Sequence, residues 1–394
     1  MRTFLALLPF LVPMACQRQF TILPPEPDIA EPDVDPEDVT ECAFTRVGNS
    51  LFYRYDCNPV FPERNAAGAP KGDPWAADIG SVAFHVTQVL GHPVYQAWYT
   101  GITADGYGGI GYAVSEDGTN WDVWPDNPVL EATTGRAWDS DSMDALQVVW
   151  DPNTSTYVMI YQGIQFNDTT PWGLGLATST DGRDWVRSEN NPVVPFDGLD
   201  PTYYWCWPLG IDLAGDGGLS GIMGGGLVDR VTALSQNKCV AYSIGSESLD
   251  VWATDPKLFF STGEEGAWDD MGISSLAVAE LDGVRYLFYT AFARWTCQPS
   301  GRTSDEVDQC PINTEYLAAD RAFFGYAVEE DGRWVRKGKV PLNLTAAGEV
   351  SSVAAQTVDA RIHLWLTDNY EGGSAIGYFL FDPQRAAQED GGSP

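Results

Sequence analysis

Runs of alternating apolar and polar residues, each long enough for one β-strand, follow one another along the chain, and Asp, Asn, Gly and Pro break them. Successive side chains of a strand point to opposite faces, so a period of two marks half-buried strands. Four segments repeat one arrangement. Gly111-Tyr112-Ala113-Val114-Ser115-Glu116-Asp117-Gly118-Thr119-Asn120-Trp121 runs on to Asn127-Pro128-Val129-Leu130. Gly175-Leu176-Ala177-Thr178-Ser179-Thr180-Asp181-Gly182-Arg183-Asp184-Trp185 runs on to Asn191-Pro192-Val193-Val194. A weaker copy joins Val240-Ala241-Tyr242-Ser243 to Val251-Trp252 and Lys257-Leu258-Phe259. The fourth is Gly325-Tyr326-Ala327-Val328-Glu329-Glu330-Asp331-Gly332-Arg333-Trp334, followed by Val340-Pro341-Leu342. Alternation, an Asp-Gly turn and a Trp read as a hairpin. A second two-strand pattern lies upstream, at residues 81–99, 145–161 and 275–289.

Four antiparallel strands per repeat describe the blade of a β-propeller. A fifth unit starts at Ser351-Ser352-Val353-Ala354-Ala355 and ends at Gly377-Tyr378-Phe379-Leu380-Phe381, one strand short. The missing strand is found at the other end of the chain. Leu51-Phe52-Tyr53-Arg54-Tyr55 is followed by Asn58-Pro59-Val60, the ending of the first two repeats. The expected fold is all-β, a five-bladed β-propeller over residues 42–383. An N-terminal strand completes the last blade, so that no sheet edge is left bare. Residues 384–394 are expected as a disordered tail.

Composition narrows the partners. Acids outnumber bases 55 to 22, for a formal net charge of −33. Phosphate binding needs a basic surface, so nucleic acid is not expected, and anionic lipid is disfavoured too. Residues 1–15 read as an export signal, with Arg2 ahead of an apolar run too short to span a bilayer. Pro13-Met14-Ala15-Cys16 resembles a bacterial lipobox, with Pro13 where Leu is usual, and predicts lipid on Cys16. Residues 17–41, rich in Pro and acids, form a linker. With Cys16 lipidated, the other six of the seven cysteines are expected as disulfides between sequence neighbours. These pairs are Cys42 with Cys57, Cys206 with Cys239, and Cys297 with Cys310. The compartment is then oxidising: the cell envelope or the exterior. No spacing suits zinc.

In a propeller the inner strands line a channel, and the segments leading into them meet at one mouth. These segments are Trp75-Ala76-Ala77-Asp78, Trp138-Asp139-Ser140-Asp141-Ser142-Met143-Asp144, Asp200-Pro201-Thr202-Tyr203-Tyr204-Trp205-Cys206-Trp207, Trp268-Asp269-Asp270, and Glu349. Acids gathered at one axis predict carboxyl pairs, a bound cation or shifted pKa values, although loop acids also cap turns. Asp139, Asp141 and Asp144 are the candidates for structural calcium, without an EF-hand pattern. Loops between second and third strands add Asp168, Arg294 and Asp368. Planar polar groups grip sugar hydroxyls and rings stack on C–H faces. The expected substrate contacts are Trp75, Asp141, Asp168, Tyr204, Trp205, Trp207, Asp270, Arg294 and Asp368. His85, His92 and His363 are expected to be packed or solvent-facing. The Ser-x-Asp-Gly-x-x-Trp hairpins are similar to sialidase Asp-boxes but one residue shorter, and such boxes are structural turns.

The five repeats, these hairpins and the Asn-Pro-Val endings resemble the five-bladed glycosidase superfamily of arabinanases, β-xylosidases, invertases and levansucrases. The resemblance covers nearly all of 42–383 and lies in structural repeats. It implies three acids leading into the first three blades: a base or nucleophile, a supporting Asp and a proton donor. Asp78 matches the first, and Asp144, or less well Asp141, the second. The third blade offers Tyr203, Tyr204, Trp205 and Trp207 but no Glu, leaving Asp200, Asp270 or Glu349 as donor. Glu349 has the register of Asp78, four residues before a Val. The expected catalytic set is therefore Asp78, Asp144 and Glu349. The protein would be glycoside hydrolase-like, without a cofactor, acting on or binding an oligo- or polysaccharide as a monomer that meets membrane only through a lipid anchor. The alternative is a non-catalytic carbohydrate-binding or scaffold propeller.

Overall fold

The structure is a computed structural model. It describes residues 42–61, 75–76, 78–103, 108–133, 138–165, 173–195, 203–213, 219–227, 240–248, 251–252, 257–264, 267–270, 272–292, 322–342, 349–370 and 373–391. The first strands are β1 (Phe44–Arg46) and β2 (Phe52–Tyr55). A first repeat follows with β3 (Asp78–Val89), β4 (His92–Ile102), β5 (Gly108–Ser115), β6 (Asp122–Val123) and β7 (Leu130–Glu131). A second contains β8 (Ser142–Asp151), β9 (Thr156–Ile164), β10 (Gly173–Ser179), β11 (Val186–Arg187) and β12 (Val194–Pro195). A third contains β13 (Tyr203–Leu213), β14 (Leu219–Leu227), β15 (Val240–Ser248), β16 (Val251–Trp252) and β17 (Lys257–Phe260), described for most residues by backbone alone. Next come β18 (Gly272–Leu281), β19 (Val284–Phe292), β20 (Ala322–Glu330) and β21 (Arg333–Val340). The last are β22 (Glu349–Val358), β23 (Arg361–Tyr370), β24 (Gly373–Phe381) and the helix α1 (Pro383–Glu389).

The described strands pair into five antiparallel sheets, one per repeat. The first strands of these sheets touch in a cycle: β3 on β8, β8 on β13, β13 on β18, β18 on β22, and β22 on β3. The molecule is an all-β β-propeller whose inner strands surround an axis. In the last sheet the order is β22, β23, β24, β2, β1, so the N-terminal hairpin supplies its outer strands.

The repeated Asn explains why that hairpin docks there. Asn127 brackets Tyr112, accepting its N–H at 2.9 Å and donating to its C=O at 3.1 Å. Asn191 does the same to Leu176, at 2.9 and 3.0 Å. Asn58 does it to Tyr378, at 2.7 and 3.0 Å, across the chain ends. Each side-chain amide stands in for a fourth-strand backbone that has already turned away, and satisfies a buried peptide group. Cys42 and Cys57 form a disulfide with a Cα–Cα distance of 5.6 Å, clasping the β1–β2 hairpin at its open end. Cys206 is described by backbone only, and Cys16, Cys239, Cys297 and Cys310 lie outside the described residues.

Most of the described aromatics pack between sheets. Phe52, Phe288, Phe324, Phe379 and Phe381 fill one seam. Tyr53, Tyr99, Trp365 and Tyr378 fill the next, and Trp98, Tyr112, Tyr157 and Tyr161 the one after. The abundance of rings is thus largely core material. The chain end differs from expectation. Within the stretch read as a disordered tail, α1 forms, capped by Asp382 accepting from the Arg385 N–H at 2.9 Å. Arg46 holds Asp390 at 2.7 Å, Tyr53 donates to Glu389 at 3.0 Å, and Ala386 is buried. Polar tail residues find partners on β1 and β2, a tertiary effect that composition does not reveal.

Candidate functional site

Four inner strands share one register. Ile79, Met143, Ile273 and Val350 are buried at equivalent positions. Three residues on, Val82, Leu146, Leu276 and Val353 are buried in turn. Strict alternation would give a step of two, and the extra residue is a β-bulge present in β3, β8, β18 and β22. Directly after the first buried position stand Gly80, Asp144, Ser274 and Ser351. Three are small and neutral, and Asp144 is the exception.

The Asp144 carboxylate is fixed by one oxygen. Its Oδ1 accepts the Ala145 N–H at 2.7 Å and long hydrogen bonds from Ser81 Oγ at 3.4 Å and Thr100 Oγ1 at 3.5 Å. Ala145 has a φ of 46°, in the left-handed region, which costs a non-glycine residue about 1–2 kcal/mol. Its counterparts Ser81, Ser275 and Ser352 are not so strained. Ser81 also accepts the Leu146 N–H at 3.1 Å, so β3 holds the bulge of β8 in place. Ser275 repeats that staple on Val353 at 3.2 Å, where the residue matching Asp144 is Ser351. The scaffold therefore works without an acid. Gly80 makes room: a Cβ there would lie 2.4 Å from Thr100 Oγ1 and 3.4 Å from Asp144 Oδ1.

The hydrogen bonds from the Ala145 N–H, Ser81 Oγ and Thr100 Oγ1 all fall on Oδ1, and the residue is exposed. Protein nevertheless surrounds it in depth. That desolvation raises its pKa above the ordinary carboxylate range, against the pull of the Ala145, Ser81 and Thr100 donors. Asp78 opens β3, paired with Ile102, two residues before Gly80. Glu349 opens β22 at the same register, paired with Asn369. The backbone thus sets Glu349, Asp78 and Asp144 at one end of three consecutive inner strands, β22, β3 and β8.

Other acids near the mouth have a different task. Asp139 is fully buried, accepting from Tyr161 Oη at 3.1 Å and Thr133 Oγ1 at 2.5 Å, with Arg187 Nε at 3.3 Å. Asp269 repeats this with Tyr289 Oη at 2.9 Å and Arg336 Nε at 2.7 Å. Trp138 and Trp268 stack on the same tyrosines. In the first repeat Ala76 and Val123 occupy the places of the Asp and the Arg, so both partners are absent together. These acids are blade braces, which removes Asp139 from the calcium candidates. Among the described residues no group of three or more His, Cys, Asp or Glu is placed to hold a metal. Asp269→Ala is expected to destabilise the fold by about 2–4 kcal/mol, because Arg336 and Tyr289 lose a buried acceptor. Urea unfolding checks this, and a loss under about 1 kcal/mol contradicts the brace.

Comparison with solved structures places this geometry. A β-1,2-mannobiose phosphorylase from Listeria innocua matches with TM-score 0.54 at 11% identity, over 86% of this chain and 98% of that one. A structure from a study of the GH130 family of mannoside phosphorylases, described as containing glycoside hydrolases that target β-1,2 mannosidic linkages in Candida mannan, matches with TM-score 0.53 at 16% identity, over 89% and 96%. A GH32 β-fructofuranosidase from Bombyx mori, in complex with sucrose, matches with TM-score 0.50 at 16% identity, over 78% and 60%. The chain shares the β-propeller fold of these structures. No protein-family model and no curated sequence matches it.

Within this propeller the other expected contacts divide. Trp75 packs its ring over Gly101 and Gly109, inside its own blade. Asp141 is half-buried, its C=O accepting the Gly108 N–H at 3.1 Å. Asp270 and Asp368 are buried, in a turn and in β23. Tyr204, Trp205 and Trp207 are placed by backbone on β13, whose register shifts twice between Trp205 and Gly210. Asp168, Arg294 and Asp200 lie outside the described residues. Sequence reading missed Ser81 and Thr100 as carboxylate partners. The signal for Ser81 was available, since Ser275 and Ser352 recur at its position.

Proposed function

We propose that the protein is glycoside hydrolase-like and acts on a carbohydrate bound at the mouth formed by β22, β3 and β8. One observation carries this reading: an exposed acid with a raised pKa stands at the ring's mouth where β3, β18 and β22 have Gly or Ser. The fold does not require it there, since Ser351 fills the equivalent place beside the same serine staple. The carbohydrate-active neighbours support a sugar as the substrate class. Five sheets whose first strands touch in a cycle support a ring of five blades.

Glycoside cleavage needs a proton for the leaving oxygen and a carboxylate that attacks the anomeric carbon or activates water. Asp144, whose carboxyl burial shifts toward the protonated form, serves as proton donor, its Oδ1 fixed by Ala145, Ser81 and Thr100. Asp78 is the base or nucleophile, and Glu349, at the same register on the next strand, is the other carboxylate of the set. Carboxyls about 5–5.5 Å apart give retention and about 6.5–9.5 Å inversion. A second reading rests on β13, where Tyr203 to Gly210 include no acid: a propeller that binds sugar without cleaving it. Incubating the full chain with plant and microbial glycans, with Asp78→Asn alongside, separates the two. Sugar release that disappears in Asp78→Asn supports hydrolysis. Binding without release, unchanged by the substitution, supports the second reading.

We also propose export with lipid on Cys16, which the Cys42–Cys57 disulfide supports through its need for an oxidising compartment. Labelled fatty acid should enter the wild-type chain and not Cys16→Ser; equal labelling of both sinks the assignment.

A further inference from the structure

Beyond Asp144 the axis widens into a cavity of about 480 Å³. It is lined by all five inner strands and includes Ala83, His85, Gln147, Ile211, Ala277 and Gln356. It starts three residues past Asp144 on β8, roughly 10 Å along the strand. It reaches the opposite end of the ring at Pro152, Glu280 and Arg285, beside the hairpin turns. Its volume falls in the range of about 300–1,000 Å³ typical of small-molecule sites.

Register shows how it is built. One layer holds Ala83, Gln147, Ala277 and Ala354, and the next His85, Val149, Ala279 and Gln356. Alanines open the space, and three neutral polar side chains enter it. Gln356 Oε1 accepts the Val86 N–H at 3.1 Å, which leaves its NH₂ group uncommitted among the described residues. The Gln147 amide and the His85 imidazole make no hydrogen bond to a described residue. Polar groups at the heart of a fold are ordinarily paired, so three that face a cavity call for water or a ligand. Amide and imidazole both donate and accept, as a hydroxyl does. Among the described residues charge does not define the lining: Arg285 is paired with Glu329 at 2.8 Å, and Glu280 is exposed at the rim. Trp150 adds an apolar wall against which C–H faces pack.

We propose that this cavity is a second binding site, separate from the Asp144 mouth, for a small neutral polyhydroxylated compound of monosaccharide size. Burial holds the His85 imidazole neutral by lowering its pKa to about 4, in keeping with an uncharged guest.

The test is calorimetry and saturation-transfer NMR on the full chain with glucose, galactose, mannose, xylose, arabinose and inositol. Binding of at least one probe is expected, weakened about tenfold or more in Gln147→Leu and retained in Asp144→Asn. Ala277→Met, which fills the space from another strand, should block it too and serves if Gln147→Leu does not fold. Binding lost in Asp144→Asn but kept in both cavity variants overturns the proposal, because the sugar then sits only at the mouth. No binding of any probe also overturns it, because the cavity then holds only water; sugar release from a longer glycan would be untouched by that result.

Discussion

Replacing Asp144 by Asn is expected to cut sugar release by about 10²- to 10⁴-fold, the usual worth of a positioned general acid. The folded protein should be as stable at pH 7, or more stable. Both halves follow from one fact. Folding raises the Asp144 pKa, so the folded state prefers the protonated acid. The stability it contributes is greatest at low pH and is lost as pH rises through its folded pKa. Asn keeps the shape without that cost. Ser is the stricter variant, because Ser274 and Ser351 already occupy the equivalent positions in other blades. A merely structural Asp144 would give the reverse: lower stability and unchanged release. The pH profile of kcat/KM should be bell-shaped, falling at high pH as Asp144 loses its proton and at low pH as the base gains one.

Acid should destabilise the fold through its buried histidines. His363 lies in the core, its Nδ1 2.5 Å from Tyr378 Oη. Burial, with Arg361 nearby, lowers its pKa to about 4, and burial does the same to His85. The unfolded chain protonates them near 6.5, so it binds more protons than the folded chain between roughly pH 6.5 and 4. Their stabilisation is complete above that window and is lost as pH falls through it. A pKa lowered from 6.5 to about 4 is worth about 3 kcal/mol per histidine. Asp144 acts in the opposite sense and offsets part of the loss. Urea titrations across the window should show the slope reduced by about half in His363→Asn. An unchanged slope would show that His363 does not carry it.

Much of this was legible in the sequence, for physical reasons. Repetition fixes backbone hydrogen bonding, so Asn127, Asn191 and Asn58 announce the blade ends and the docking of the N-terminal hairpin. The Cys42–Cys57 pair followed from pairing cysteines that are neighbours in sequence. Asp144 was found, but its register was not. The same bulge recurs in β3 and β8, so counting back from the buried Val82 and Leu146 matches Asp78 with Ser142, and Asp144 with Gly80. Which apolar residues share a layer, and so where the count must start, is set by the folded register. Side-chain direction was also hidden: Asp139 and Asp269 turn into their blades because Arg187 and Arg336 wait there. Trp185-Val186-Arg187 and Trp334-Val335-Arg336 do repeat, and the first repeat lacks both Asp and Arg. That paired absence was the available clue.

The most direct test of the account is a crystal structure of the Asp78→Asn chain with an oligosaccharide that the wild-type protein cleaves or binds. A glycosidic oxygen is expected within hydrogen-bond reach of the Asp144 carboxyl, with residue 78 on the other side of the scissile bond. A sugar bound elsewhere, with Asp144 facing only water, would contradict it.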